Sequence, residues 1–366
     1  MQATDEDPLG KFIQQLQKAQ DDSTTAYLLE QIGDASKEDL AKHKKDLMTI
    51  AARHLSSDNP HILLPLAELL FLLTKEHQGS KTLVILASKL IFKLSKDDSN
   101  DNLFLSRRTL DLLLTAMGYQ CPIKDHETFM YAYGGLKFLT LNARITTYLS
   151  ETLGFLHLCL LHVKLLCEEE TKATSTNSAQ VIFQVTTCLR HLCNDNQNCE
   201  KFLTQLHGLK VLKLIVSRFK RDVDVMCNVS RILSVLTASF DDLFDQGCQS
   251  KEIIKALYEI LSRHHSRRDI VVRVTFVLGN LAARGEDARL AIGKHPDTTG
   301  LLPRLLHHCL SDIFQGNVDS SIEDEAALDF GSTGNGEDTA IKIIRVIANA
   351  SIEPDTVSDG NLCIFL

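Results

Sequence analysis

Apolar residues recur along this chain at helical spacing, in sets that return every 44 to 53 residues, except for a last interval of 69 that contains an insertion. Around Leu278, the positions four and one before it and three after it are Val274, Val277 and Leu281. Those offsets share one face of a helix. The same offsets give Val229, Ile232 and Leu236 around Leu233, and Val185, Cys188 and Leu192 around Leu189. Upstream they give Ala132, Gly135 and Leu139 around Leu136, then Ala87, Leu90 and Leu94 around Ile91. Downstream, Ile347 is flanked by Ile343, Val346 and Ala350. None of the six sets contains a polar residue.

The stretches between anchors have a common order of parts. After Leu192, "CNDNQNCEKFLTQLHGLKVLKLIVSRF" reads as a polar turn, a short helix, a break at His207-Gly208 and an amphipathic second helix. "AARGEDARLAIGKHPDTTGLLPRLLHHCL" after Leu281 repeats that order. Ser178, Asp269 and Asp338 stand where anchor helices are expected to start. A period near 45 with two to three helices per unit is the signature of armadillo or HEAT repeats. The expectation is an all-α, armadillo-type α-solenoid, a right-handed superhelix of stacked helical repeats. The pattern divides the chain into a helical N-terminal cap region at 1–79, repeats at 80–315, and a truncated last repeat with its tail at 339–366. Between the repeats and that last unit lies 316–338, rich in Gly, Ser and acid, which reads as an acidic flexible loop.

Two motifs are more specific. "VVRVTFVLGNLAARGEDAR" and, after the acidic segment, "IKIIRVIANASIEPD" resemble an armadillo-repeat family associated with motile cilia and sperm flagella. The resemblance implies a non-enzymatic scaffold or adaptor in axoneme assembly, cytoplasmic and at the axoneme, with axonemal or ciliary-transport proteins as partners. An adaptor or small-GTPase regulator sharing only the fold is the alternative. The sequence departs from that family in two places. The long N-terminal region expected there is absent, and "VSDGNLCIFL" follows "ASIEPDT" where further repeats are expected. The ending "CIFL" has the form of a geranylgeranylation signal at Cys363, but the acidic segment before it argues against a working lipid anchor.

Composition narrows the partner class. The net charge of -8 argues against a general nucleic-acid binder. The longest uncharged apolar run, "TLGFLHLCLLHV", is too short for membrane insertion. The 10 cysteines include no C-x-x-C pair, so buried free thiols are expected rather than a disulfide framework or zinc site. No cofactor is implied. "GSTGNG" carries Glu337 where a phosphate-binding loop needs Lys, and no strand precedes it. His307 and His308 beside Cys309 diverge on a helix and form no ligand set, while "RHHSRRD" reads as a basic helix end.

The candidate site lies on the anchor helices. Positions five and two before each anchor and two after it share a flank. They are Arg273, Phe276 and Asn280 around Leu278, and Lys342, Arg345 and Asn349 around Ile347. Around Leu233, Asn228 and Arg231 occupy the first two. In armadillo folds the third helices line a groove, where an Asn can bond an extended peptide. That places Asn280 in a groove rather than the core and explains a Gly-Asn pair inside an apolar helix. The flank is basic and carries no Asp or Glu, so proteins with acidic segments are the expected partners. The absence of Trp separates it from the groove of a nuclear-import receptor.

Overall fold

The computed structural model describes residues 7–74, 81–168, 176–239, 250–314 and 336–353. Among them the regular structure is helical and no strand occurs. The chain divides into two compact units, one of residues 1–170 with 175–191 and one of 171–174 with 192–366.

The first unit is built from successive helical triplets. These are α1 (Pro8–Lys18), α2 (Asp22–Gly33) and α3 (Lys37–Lys42), then α4 (Lys44–His54), α5 (Pro60–Leu72) and α6 (Lys81–Leu94). Next come α7 (Asp101–Ser106), α8 (Thr109–Gly118) and α9 (His126–Leu139), then α10 (Ala143–Thr147), α11 (Phe155–Glu168) and α12 (Thr176–Leu192). Like packs on like. First helix α1 meets α4, second helices α2, α5 and α8 form a row, and third helix α6 lies along α9. The triplet order therefore begins before residue 80, and that expected boundary cuts through the α4–α6 unit. Helix α5 hid the register because it is buried from Ile62 to Leu72 on every side, leaving no amphipathic stripe to read. Side-chain caps at Asp21, Ser36 and Asn59 start α2, α3 and α5.

The second unit continues with α13 (Asn196–Thr204), α14 (Gly208–Phe219) and α15 (Val223–Ser239). Then follow α16 (Ser250–Arg263) and α17 (Arg268–Arg284), and finally α18 (Glu286–Gly293), α19 (Pro296–Phe314) and α20 (Gly336–Ala350). Helices α15, α17 and α20 lie side by side, with α19 packed on α20. Every residue of the six anchor sets is buried. Each anchor helix thus spends the predicted face on the core.

Ser178, Asp269 and Asp338 sit inside the first turn of their helices rather than before it. Acid there suits the helix dipole as well as a cap would. Of the acidic stretch 316–338, the last three residues open α20, while 316–335 fall outside the described residues, as does Cys363.

The described cysteines are free thiols. Burial drives the Cys188 thiol up to about 12 and the Cys159 thiol well above its ordinary value, which keeps both protonated. Among the described residues no single helix is long and apolar enough to cross a membrane.

Candidate partner-binding surface

Helices α17 and α20 of the second unit meet in a definite register. The residue one past the anchor on one helix faces the residues two and one before the anchor on the next. On α17 this residue is Gly279, and a Cβ there would lie 3.6 Å from Arg345 and 3.8 Å from Val346 of α20. Within the first unit α6 and α9 use the same register with sizes exchanged. There Phe92 is the large residue, and it lies against Gly134 and Gly135. One small partner per crossing lets the helices approach closely.

On α17 and α20 the residue two past the anchor then bonds across the row. Asn349 donates from Nδ2 to the Gly279 carbonyl at 3.2 Å, and Asn280 reaches Thr237 Oγ1 on α15 at 3.5 Å. Arg284 donates to the carbonyl of the same Thr237. Asn280 is 6% exposed and Asn228 is 4% exposed. This corrects the placement of Asn280 outside the core. In a side-by-side row the flank next to the anchors is covered by the adjacent helix, so a carboxamide there stitches helix to helix. The Gly-Asn pair weakens α17 locally, but Asn280 ties the helix back to α15.

The cations are arranged differently from the expectation as well. Arg273 donates to the Asp269 carbonyl at 2.6 Å and lies 4.0 Å from that carboxylate. Lys342 pairs with Asp338 one turn earlier, and its ammonium is 5.9 Å from the Phe276 ring centroid. An acid nine residues before the anchor recurs at Asp224, Asp269 and Asp338. On α17 and α20 the flank therefore carries its own acid one helical turn before its first base. Arg231 and Arg345 enter no ion pair among the described residues, and Arg345 is exposed.

Asp269 is the densest node. It accepts from Arg267 at 3.1 and 3.2 Å and from the Cys227 thiol at 3.2 Å. Burial works to raise its carboxyl, but these hydrogen bonds and the charges of Arg267 and Arg273 outweigh that and hold it below its ordinary value. The neighbouring Cys227 thiol is pushed up, chiefly by burial. Three members of the basic run at 263–269 have partners within the chain. Arg267 holds Asp269, Arg268 pairs with Asp312 at 2.9 Å, and His264 meets the Lys220 carbonyl at 2.9 Å.

The site residues thus fall into two groups. Asn228, Asn280 and Asn349 belong to the row itself. Arg231, Arg273, Phe276, Lys342 and Arg345 remain at least partly accessible along it. Among the described residues no group of three or more His, Cys, Asp or Glu could hold a metal ion.

Comparison with known proteins agrees with the geometry. No family profile matches the chain. It is 30% identical over 272 residues to human armadillo repeat-containing protein 2, which covers 73% of this chain and 31% of the relative. The bovine protein of that name is 30% identical over 273 residues, or 73% of this chain and 30% of the relative. For the mouse protein the values are 26% over 315 residues, 86% of this chain and 35% of the relative. The chain spans about a third of the length of these curated relatives. Its fold is similar to a chain in the solved structure reported for a phosphorylation switch controlling the interaction between cadherin and beta-catenin. That likeness has a TM-score of 0.58 at 13% identity and covers 96% of this chain and 70% of the other. Stacked helical triplets and the shared fold make the chain an armadillo-type α-solenoid, similar over most of its length to armadillo repeat-containing protein 2.

Proposed function

We propose that the chain is a protein-binding scaffold whose third-helix row in the second unit receives an acidic segment of a partner, and that it serves assembly of the axoneme of motile cilia and sperm flagella. The observation that carries the binding reading is the row itself. Arg231, Arg273, Arg345 and Lys342 project along one flank of three helices held in register. Arg345 is exposed and Arg231 half-buried, and neither is ion-paired among the described residues, whereas Arg273 and Lys342 are preorganised by Asp269 and Asp338 and can exchange those contacts for a partner's carboxylates. Phe276 adds a half-buried apolar surface between them. Such exposed charge supplies specificity and rate of encounter more than affinity. The ciliary setting is supported by the resemblance to armadillo repeat-containing protein 2.

The test is complementation in multiciliated cells lacking the protein. The tagged chain should concentrate in the cytoplasm and at axonemes and restore beating. Arg231→Glu with Arg345→Glu should fail to restore it while keeping a native helical spectrum. Normal axonemes and normal beating in the null cells would remove the ciliary reading. Full rescue by the double variant would remove the basic row from it.

A further inference from the structure

The third helices of the first unit carry a band of half-buried aromatic rings, with Phe92 on α6, Tyr131 and Phe138 on α9, and Phe183 on α12. Phe92 stands edge-on to Tyr131 at 5.7 Å between centroids and lies 6.2 Å from Phe138. Two ammonium groups rest on the band. Lys96, just past α6, is 4.4 Å from the centre of Phe92, while Lys137 is 5.0 Å from that of Phe138 and 5.6 Å from that of Phe183. All of these residues belong to one compact unit and none to the basic row on α15, α17 and α20.

The lysines along these helices are not treated alike. On α6, Lys81 pairs with Asp125 at 2.7 Å, Lys89 with Glu127 at 2.7 Å and Lys93 with Asp58 at 2.5 Å. Lys96 and Lys137, the two that lie on the phenylalanines, enter no ion pair among the described residues. Burial holds the Lys137 ammonium below its ordinary value, and the like charge of Lys96 lowers it further. Two cations are therefore gathered at an apolar band without a counter-charge. A cation over a ring is weakly held in water, so a carboxylate offering a charge-assisted hydrogen bond can draw it away.

We infer that this band is a second recognition surface, for an extended partner segment of mixed acidic and apolar residues whose carboxylates are taken by Lys96 and Lys137 and whose apolar side chains lie on Phe92, Phe138 and Phe183. Charge complementarity selects the acid, and half-buried rings select the apolar residues between. Three helices packed at ordinary spacing make the band roughly 20 Å wide, which about six extended residues cross. A single nucleic-acid strand fits less well. Its bases need open ring faces to stack on, whereas here the ammonium groups lie over Phe92 and Phe138 and the rings pack against one another. The surface stands independently of the basic row in the second unit.

Fluorescence anisotropy on the full chain tests the inference, with Arg231→Glu and Arg345→Glu in place so that the basic row contributes no binding. The probe is a dansylated twelve-residue peptide of alternating Asp and Leu. It should bind, and the Asn-and-Leu and Asp-and-Ser peptides should each bind about tenfold more weakly, since each removes one half of the recognition. Lys96→Gln with Lys137→Gln should weaken the Asp-and-Leu peptide about tenfold or more. Lys96→Glu alone should weaken it too, at an exposed position where the core is untouched. No binding of this peptide, or equal binding to the lysine variants, overturns the inference. Displacement of the peptide by a twelve-nucleotide oligouridylate at lower concentration than by unlabelled peptide overturns it in favour of a nucleic acid. Restoring Arg231 and Arg345 reads the second-unit row separately, because any added binding in that chain belongs to it.

Discussion

The carboxamide of Asn349 donates to the main-chain carbonyl of Gly279 at 3.2 Å, joining α20 to α17. The bond explains why a polar residue sits among the apolar positions of the last anchor helix. It also locates the tolerance of the crossing. A Cβ on Gly279 would meet Arg345 Cδ at 3.6 Å and Cγ at 3.7 Å, ordinary contact distances with a side chain free to yield. Gly279→Ala should therefore stabilise the second unit by up to about 1 kcal/mol through helix propensity. Asn349→Ala should cost about 1 kcal/mol by leaving that bond unmade. Urea midpoints at constant slope measure both. A clear loss of stability in Gly279→Ala would mean that the helices tolerate no side chain there.

Gly208 gives the opposite expectation. A Cβ at that position would collide with the ring of Phe202, which is fully buried. His207 just before it already occupies the left-handed region at φ 51°. Gly208→Ala must displace an aromatic ring in a packed core, at about 1–3 kcal/mol. The penalty should shrink when Phe202 is also replaced by Leu, because the clashing atoms are then removed. A double-mutant cycle reads that coupling, and strictly additive effects would contradict the contact.

Periodicity alone exposed the anchor ladder, because each third helix buries one face and the offsets from Ile91 to Ile347 record it. It could not show that the flank next to that face is covered by the adjacent third helix, since a single helix carries no record of its neighbour. Hence Asn280 read as groove and is buried. The self-pairing of Arg273 and Lys342 was legible in principle. Asp269 and Asp338 stand four residues before them, the spacing of a helical ion pair, but outside the offsets that defined the flank. The triplet of α4, α5 and α6 was obscured by an α5 with no polar side to set its phase.

Contacts between distant polar residues were not legible at all, and the strongest binds three successive triplets of the first unit. Arg107 donates to Glu68 at 3.2 and 3.1 Å and to Glu30 at 2.6 Å, while Thr109 donates to Glu68 as well. Glu68 is 4% exposed in the middle of α5. Arg107→Ala would strand that carboxylate in the core and should cost about 3–5 kcal/mol. Replacing both, as Arg107→Met with Glu68→Leu, should recover most of the loss, because no charge remains buried. Thermal or urea denaturation of the three chains checks this. A double variant as unstable as Arg107→Ala would show that Glu68 is not held by charge pairing.

His162 sets a pH limit on the first unit. It is 2% exposed, its Nδ1 meets the Tyr133 hydroxyl at 2.7 Å, and Phe129 stands edge-on at 4.8 Å. Burial among these groups lowers its pKa from 6.5 to about 4. Between those values the unfolded chain takes up a proton that the folded chain refuses, so stability falls as pH drops from 6.5 toward 4. The contribution is fully present above pH 6.5, and a shift of this size corresponds to on the order of 3 kcal/mol across the window. His162→Gln should be less stable at neutral pH, since the imidazole fills a packed site, but its stability should depend less steeply on pH between 6.5 and 4. Denaturation of both chains at several pH values isolates the effect as a difference in slope. Parallel profiles for the two chains would show that His162 takes up its proton while folded, and that Tyr133 and Phe129 do not keep it neutral.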